Sequence, residues 1–290
     1  MSLARLRGAR SSSRQVNGTF LILCLASAAL LLPAVWTLST SLKRPEDVFS
    51  PGLGLWPTHV TLAAYQSVFS AVPFGRYLFN SVMVTLAIVV LNVVFDSCAA
   101  YAFAKLRFRG RSFLFGLLLV TLMIPMQVNL IPLYRMMVWI HVQVPVLGAD
   151  TLSGIIAPSA VQVFGIFLMR QFFASIPDGL IEAARLDGAS ELKILRLIIL
   201  PISRPGLATL AIFTFLHAWN DFLWPLIVAG SDASRTLPVG LALLSNKNTV
   251  NWPETMAASV VTAVPMIIVF ILLQRHFIEG LTAGSGKDLY

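Results

Sequence analysis

The stretch FLILCLASAALLLPAVWTL at residues 20–38 is almost wholly apolar, and no charge occurs between Arg14 and Lys43. A helix needs about 20 apolar residues to cross the hydrocarbon core of a bilayer. We therefore predict a membrane-spanning helix over about residues 18–39. The tripeptide Ala26-Ser27-Ala28 is similar to a signal-peptide cleavage site, but a cleaved signal ends its apolar region before the cut. Because the apolar stretch continues through Val35, we expect a retained anchor.

Further apolar windows follow the first, and the whole composition agrees with them. The chain has 57% hydrophobic and 12% charged residues, whereas a soluble domain carries about 25% charge. The net charge of +8 comes from basic residues dispersed between apolar segments, which argues against nucleic-acid binding. We predict an all-α polytopic membrane protein with a transmembrane domain over 18–276. Its other five helices are expected at about 78–104, 112–137, 152–174, 206–229 and 256–276.

The distribution of basic residues predicts the orientation of these helices. If the N-terminus is cytoplasmic, fifteen of the 21 lysines and arginines lie on the cytoplasmic side. Cytoplasmic loops carry an excess of such residues. We therefore expect both termini in the cytoplasm, as a basic segment over 1–17 and a tail over 277–290.

The fourth connection, residues 170–204, is longer than the other loops and has its own helical pattern. Ser175-Ile176-Pro177-Asp178 has the layout of a helix start, with a hydroxyl cap and an early proline. It predicts a helix over 178–186 that ends at the turn Asp187-Gly188. A second helix is expected from Glu191 through Arg196, broken by Leu200-Pro201.

This helical hairpin has two interpretations. It could be an amphipathic connector that lies on lipid headgroups. Small residues instead favour close docking into a groove of another protein, with Glu182 and Asp187 flanking the contact. The predicted small-residue surface consists of Ala183, Ala184, Gly188 and Ala189.

At these residues the chain resembles a known family. Glu182 to Ala189 read EAARLDGA, which looks like the "EAA" signature of ABC importer permeases. Other segments resemble the carbohydrate-uptake branch, closest to its MalG-like half, from Leu62 onward. These are Asn80-Ser81, residues 99–105, Met123-Ile124-Pro125, residues 131–134, residues 171–173, residues 218–226 and residues 280–284.

The resemblance implies a division of labour among subunits. The loop over 175–204 would carry coupling residues that sit in a cleft of an ATP-hydrolysing subunit: Glu182, Ala183, Ala184, Asp187, Gly188 and Ala189. It implies a second, MalF-like permease, two ATP-binding subunits and an extracytoplasmic solute-binding protein. This chain would then be a multi-pass protein of a bacterial or archaeal inner membrane, with no enzymatic activity of its own.

The sequence offers no nucleotide site of its own. Residues 284–288 read GSGKD, which superficially resembles a phosphate-binding loop. The required spacing fails, because Leu281 stands where the first glycine belongs and Asp288 where a hydroxyl belongs. We expect no cofactor on this chain, with ATP and magnesium bound by the partners. The isolated Cys24 and Cys98 and four scattered histidines suggest no metal site.

Polar residues inside the predicted spans are the candidates for a solute pathway. Asp221, beside Trp219 and Asn220, could line it, or it could form an interhelical hydrogen bond. Asp96 is expected to pair with another helix. In the third span, Pro125 and Pro132 are expected to kink or break the helix, which could expose polar groups near Gln127 and Asn129 to a pathway. A simple packing kink is the alternative.

Three functions remain open. The resemblance implies a permease subunit for maltodextrin, trehalose, another saccharide or a glycerol-phosphate derivative. A stand-alone secondary carrier or channel is the alternative, but such carriers show internal repeats and ion-coupling acids, and the chain has only two acids in mid-span. An integral membrane enzyme is weaker still, because no H-E-x-x-H motif occurs.

Overall fold

The computed structural model describes residues 4–49, 56–245 and 251–283, and side chains only within 20–272 of these. The described residues are mostly helical and include no strand. They divide into two compact units, one of residues 1–71 with 244–261 and the other of residues 72–243 with 262–290. The helices of the chain in order are α1 Ala4–Ser41, α2 Ala63–Ala71, α3 Phe74–Lys105, α4 Arg111–Thr121, α5 Met126–Gln143, α6 Leu152–Ile156, α7 Val163–Ala174, α8 Asp178–Leu186, α9 Glu191–Ile194, α10 Leu200–Ile202, α11 Arg204–Asn220, α12 Leu223–Val228, α13 Leu237–Ser245 and α14 Trp252–Ala283.

The first unit is organised around the end of α1. The Ser41 hydroxyl is 2.8 Å from the Tyr65 hydroxyl of α2, and the backbone N–H of Thr61 donates to the Leu42 carbonyl. Along the predicted span, by contrast, residues 20–35 are mostly apolar and all exposed, and burial begins only at Ser39 near the end of α1. So large an exposed apolar face is stable only in contact with lipid or another protein.

The second unit has its core where α3 lies along α7 and α11. The core also takes side chains from the segment that follows α7, so this segment is packed onto the bundle. Its buried members are Ala100, Tyr101, Ile166, Met169, Phe173, Ile176, Ile181, Ala184, Ile194, Leu195, Ile199 and Leu210.

Three helices are long and apolar enough to cross a membrane without a break, and three bent helix pairs also pass that test. The predicted helix over 112–137 is wrong as a single rod, because α4 and α5 are bent by 94°. The break is at Pro125, which precedes α5 in an extended conformation; proline lacks an N–H and disfavours helix in the preceding residue. The kink predicted at Pro125 is therefore confirmed, whereas Pro132 lies inside α5 without ending it.

The predicted helix over 206–229 is also wrong as a single rod. Helix α11 ends at Asn220 and Asp221 is extended, with φ −65° and ψ 122°. The cause is Pro225, because a proline ring collides with the carbonyl four residues before it in a helix. A new short helix, α12, contains Pro225 in its first turn, where the missing N–H is tolerated.

The predicted helix over 152–174 is interrupted too, and α3 stabilises the interruption. The two halves are bent by 44°, which leaves backbone groups unpaired between them. Asn92 donates from Nδ2 to the Ser159 carbonyl at 2.7 Å. One turn further along α3, Asp96 accepts from the Gln162 N–H at 3.0 Å. The predicted pairing of Asp96 with another helix is therefore confirmed.

Candidate coupling site

The hairpin predicted in the fourth connection begins where the sequence indicated. Helix α8 spans Asp178–Leu186, with Pro177 as its N-cap and no side-chain cap. The predicted capping role of Ser175 is wrong, because its hydroxyl donates to the Phe172 carbonyl of α7 at 2.7 Å. Ser175 thus closes the preceding helix, and Pro177 alone sets the start of α8.

Gly188 forms the turn after α8. It has φ +78°, a left-handed conformation that glycine adopts without steric cost. Its N–H donates to the Arg185 carbonyl, and the N–H of Ala189 donates to the Ala184 carbonyl at 2.9 Å. These bonds satisfy the last carbonyls of α8 and turn the chain sharply, as in other helix ends closed by glycine.

A group of three side chains fixes the two arms of the hairpin to each other and to α3. Arg185 on α8 lies 2.8 Å from Glu191 on α9, and the Tyr101 hydroxyl of α3 donates to the same carboxylate at 2.6 Å. The hydrogen bond from Arg185, and then that from Tyr101, holds the pKa of Glu191 below its ordinary value. Sequence reasoning missed both Tyr101 and Glu191, which are 90 residues apart.

Lys105, at the end of α3, fixes the start of α8. Its Nζ donates to the Ile176 carbonyl and to the Asp178 carboxylate, both at 2.6 Å. The ammonium group lowers the pKa of Asp178 through this hydrogen bond. The Lys105 side chain is only 4% exposed, so it serves as a fixed anchor. Its position at the end of an apolar span was the only sequence signal for this role.

The second arm does not end where the sequence predicted. The expected break at Leu200-Pro201 is wrong, because helical structure continues through α10 to Ile202. A wide turn over Leu195–Ile199 precedes it, in which the Leu200 N–H bonds the Leu195 carbonyl five residues earlier. The wider turn accommodates Pro201, which has no N–H to donate. The chain bends instead before Arg204, by 84°.

The outward surface of this hairpin differs from the predicted small-residue surface. Glu182, Ala183, Asp187 and Gly188 are exposed, as expected. Ala184 is buried and Ala189 packs against the same core, so their small size serves internal packing and their predicted place on the surface is wrong. The hairpin's most exposed large apolar residues are Leu186 and Leu192, with 90% and 70% of their surface accessible.

The candidate pathway residues differ in their exposure: one is buried, one is half-buried and three are exposed. Trp219 is 2% exposed, its Nε1 donates to the Thr262 carbonyl at 3.1 Å and its ring stacks on Phe215; its expected place on a pathway wall is therefore wrong. Asn220 is exposed and bonds the Leu216 carbonyl. Asp221 is half-buried and interacts with the N–H groups at the start of α12. Gln127 and Asn129 are exposed on the first turn of α5, directly after its bend.

Comparison with known proteins places this architecture in a family. A family model described as "Binding-protein-dependent transport system inner membrane component" matches residues 97–282. The chain belongs to this family. The matched region runs from the last third of α3 into α14 and includes the whole helical hairpin of α8 and α9.

Several characterised permeases are similar to this permease over most of its length. The arabinooligosaccharides transport permease AraQ of Halalkalibacterium halodurans is 39% identical over 260 residues, which is 89% of this chain and 91% of the relative. The sulfoquinovosyl glycerol transport permease SmoH of Agrobacterium fabrum is 34% identical, with 89% of each chain covered. The sn-glycerol-3-phosphate transport permease UgpE of Brucella abortus is 31% identical over 270 residues, which is 90% of this chain and 94% of the relative.

Two solved structures share the fold of this permease. A chain of a bacterial ABC transporter that imports the acidic polysaccharide alginate superposes with a TM-score of 0.80 and 26% identity, covering 92% of this permease and 98% of that chain. A chain from an alginate transporter in complex with its alginate pentasaccharide-bound periplasmic protein has a TM-score of 0.61. At 15% identity, with 90% of this permease and 94% of that chain covered, the second shows a common fold only.

Within the described residues of this permease no group of three or more His, Cys, Asp or Glu side chains could hold a metal ion. Cys24 and Cys98 are both free and exposed. The phosphate-loop-like tail at 284–288 lies outside the described residues.

Proposed function

We propose that this permease is one membrane subunit of an ABC importer and moves a sugar or sugar-like solute by alternating access. The observation that carries the proposal is the coupling knob, which we define as residues 178–202. It presents exposed Leu186 and Leu192 to the outside while its inner side chains belong to the core of the bundle. An exposed apolar surface mounted on a rigid support is suited to a protein partner.

The mounting of the knob explains how a partner could move the bundle. Lys105 and Tyr101 join the knob to α3, which packs along α7 and α11. A displacement of the knob therefore has to displace these helices as one body, because packed cores do not deform continuously. ATP would shift the equilibrium between two states only if the ATPase subunits bind one of them better.

The proposed topology has six spans with both termini in the cytoplasm. Three are the unbroken helices α1, α3 and α14, two are the bent pairs α4–α5 and α6–α7, and the remaining one, fifth in chain order, is α11. This arrangement puts the knob on the side that carries most lysines and arginines. The proposed assembly contains a second, MalF-like permease, two subunits that bind ATP and magnesium, and an extracytoplasmic binding protein, in a bacterial or archaeal inner membrane. Reporter fusions after Asp47 and Asp150 should be extracytoplasmic, and those after Ser190 and Tyr290 cytoplasmic.

Oxygen-rich solutes are the proposed cargo. The relatives carry arabinooligosaccharides, sulfoquinovosyl glycerol and sn-glycerol-3-phosphate by name, all of which present several hydroxyl or acidic oxygens. We propose Gln127, Asn129, Asn220 and Asp221 as pathway residues, because each lies next to a helix break and three of them are exposed. Uptake per assembled complex should fall in Asn129→Ala and Asp221→Asn; unchanged uptake in both would assign these residues to helix packing.

The direct test is reconstitution of this permease in proteoliposomes with a second permease, ATP-binding subunits and a solute-binding protein from the same organism. Uptake of a radiolabelled saccharide should require ATP, magnesium and the loaded binding protein together. Uptake by the permease alone, driven by an ion gradient, would instead support a stand-alone carrier.

A further inference from the structure

A basic groove lies between the cytoplasmic end of α3, the start of α4 and one face of α8. It encloses about 750 Å³. Five basic and two acidic side chains line it, so its charge is positive. The lining charged residues are Lys105, Arg107, Arg109, Arg111, Asp178, Glu182 and Arg185.

The groove borders the coupling knob along one face of α8. Asp178, Glu182 and Arg185 follow one another at intervals of four and three residues, which places them on one face of α8. Ala183 lies about a third of a turn away from that face, whereas Leu186 follows Glu182 by four residues and borders it. The groove therefore adjoins the exposed apolar surface of the knob, while Arg107 and Arg109 lie outside the knob, in the loop that follows α3.

The floor of the groove is fixed, whereas its cations at the rim are free to bind. Lys105 is held by Asp178 and the Ile176 carbonyl, and Arg111 donates from Nη1 to the Leu106 carbonyl at 3.0 Å. Arg107 and Arg109 are exposed, and within the described residues neither has an acidic partner within 4.0 Å. Two unpaired guanidinium groups beside a fixed ammonium suit a phosphate, which accepts several charge-assisted hydrogen bonds.

The position of the groove selects a lipid as the source of that phosphate. The loop 106–110 joins two membrane helices, so it lies where a span meets the aqueous phase. Directly beside it, Phe108, Phe113 and Leu117 expose 41%, 74% and 54% of their surface. An anionic lipid could place its headgroup among the arginines and its acyl chains along these side chains, a combination typical of basic pockets at the cytoplasmic face of membrane proteins.

We propose that this groove binds the headgroup phosphate of an anionic phospholipid, with Arg107 and Arg109 as its principal contacts. The lipid would join α8 to the start of α4 at the cytoplasmic surface. This proposal is independent of which solute the permease carries.

The test compares two double variants of the full chain in the assembled transporter. Arg107→Gln/Arg109→Gln removes the free cations of the groove. Arg196→Gln/Arg204→Gln is the matched control, because it removes two exposed arginines that do not line the groove. Purified complexes in detergent are titrated with phosphatidylglycerol and with phosphatidylcholine, and bound lipid is counted by native mass spectrometry.

We expect the groove variant to bind phosphatidylglycerol about tenfold more weakly than wild type, since each cation near an anionic headgroup contributes favourably. The control variant should bind as wild type does, and phosphatidylcholine should bind weakly to all three. Equal loss in both variants would overturn the proposal, since net charge alone would then explain it. Displacement of the lipid by an equal concentration of inorganic phosphate would overturn the lipid assignment. If the groove variant binds lipid as wild type does but no longer co-purifies with the ATPase subunit, the proposal is overturned, because a protein segment then occupies the groove.

Discussion

The two ends of α3 are both bonded to segments far away in the sequence, but by different chemistry. At the N-terminal end Asn80 donates from Nδ2 to the carbonyls of Ala233 and Arg235, at 3.0 and 2.8 Å, and the Ser81 hydroxyl accepts from the Leu237 N–H. These bonds, the outer clasp, join buried side chains to backbone. At the C-terminal end Lys105 and Tyr101 bond Asp178 and Glu191; these contacts, the inner clasp, join two buried side chains to two exposed carboxylates.

The difference indicates which contacts are needed for folding and which only hold the coupling knob in place. Buried polar groups that lose their partner are costly because no water replaces it. Exposed ion pairs contribute little, since water and salt screen them. The outer clasp should therefore determine whether the unit folds, whereas the inner clasp should determine how firmly the knob is held while the fold persists.

The largest effect on transport is expected from Gly188→Val. A branched side chain at φ +78° is strained by about 1–2 kcal/mol or more, so the turn of the knob should change shape. The matched control is Gly179→Val on the same knob, because both sites have open space around a new Cβ and only Gly188 has positive φ. Uptake and co-purification of the ATPase should fall at least tenfold in the first variant and less than twofold in the second. Equal uptake in the two variants would contradict the proposed importance of the turn.

The next largest effect, on folding, is expected from Asn80→Leu in the outer clasp. The substitution keeps the branching of the side chain but leaves two carbonyls unpaired, at about 1–3 kcal/mol each. The yield of purified Asn80→Leu protein and its thermal midpoint of unfolding in detergent should both fall. Phe79→Leu is the control, since its side chain is 60% exposed. If Asn80→Leu were as stable as the control, the outer clasp would have no structural role.

A smaller effect is expected from Lys105→Met in the inner clasp. Loss of the ammonium frees both the Ile176 carbonyl and Asp178, so the first turn of α8 should exchange its amide hydrogens faster while yield stays normal. Uptake should fall two- to fivefold, by roughly 0.4–1 kcal/mol of coupling. Asp178→Asn should change little, because the Asp178 side chain is 73% exposed and an amide oxygen still accepts a hydrogen bond. A loss of yield in Lys105→Met equal to that of Asn80→Leu would erase the distinction between the two clasps.

The smallest effect is expected on the pH dependence of thermal stability, in the variant Glu191→Gln. Because Arg185 lowers the pKa of Glu191, the pair stabilises the folded state above the ordinary glutamate pKa of 4.5, and this contribution is lost as pH falls through the lowered pKa. Glu191→Gln should therefore lower the thermal midpoint slightly at pH 7 and progressively less below pH 4.5, whereas Glu182→Gln should not. A destabilisation by Glu191→Gln that is the same at pH 7 and pH 3 would contradict the role of the ion pair.

The sequence predicted local features of this permease better than long-range ones. The bounds of α8 and the turn at Gly188 followed from proline, glycine and the helical period, all of which act within a few residues. Ala184 could not be assigned to the core, because an alanine suits a docking surface and a tight helix crossing equally. The break at Asp221 was missed, although Pro225 four residues later indicates it.

The clasps themselves were beyond sequence reasoning. Tyr101 and Glu191 look unremarkable in their own segments, and only the fold brings them within 2.6 Å. Asn80-Ser81 could be recognised as part of a family pattern, but the pattern does not say that these side chains bond residues 233–237. The buried position of Trp219 was missed because an aromatic beside Asn220 and Asp221 also suits a sugar pathway.

The most direct test of the central claim is a photo-cross-link from the coupling knob. A photoreactive amino acid replaces Leu186, the most exposed large apolar residue of the knob, in the assembled transporter, and Leu117 on α4 serves as the control position. We predict that Leu186 cross-links to an ATPase subunit, with a yield that changes when ATP and the loaded binding protein are added, and that Leu117 does not. Cross-links from Leu186 to lipid alone, in a complex that transports normally, would contradict the assignment of residues 178–202 as the coupling knob.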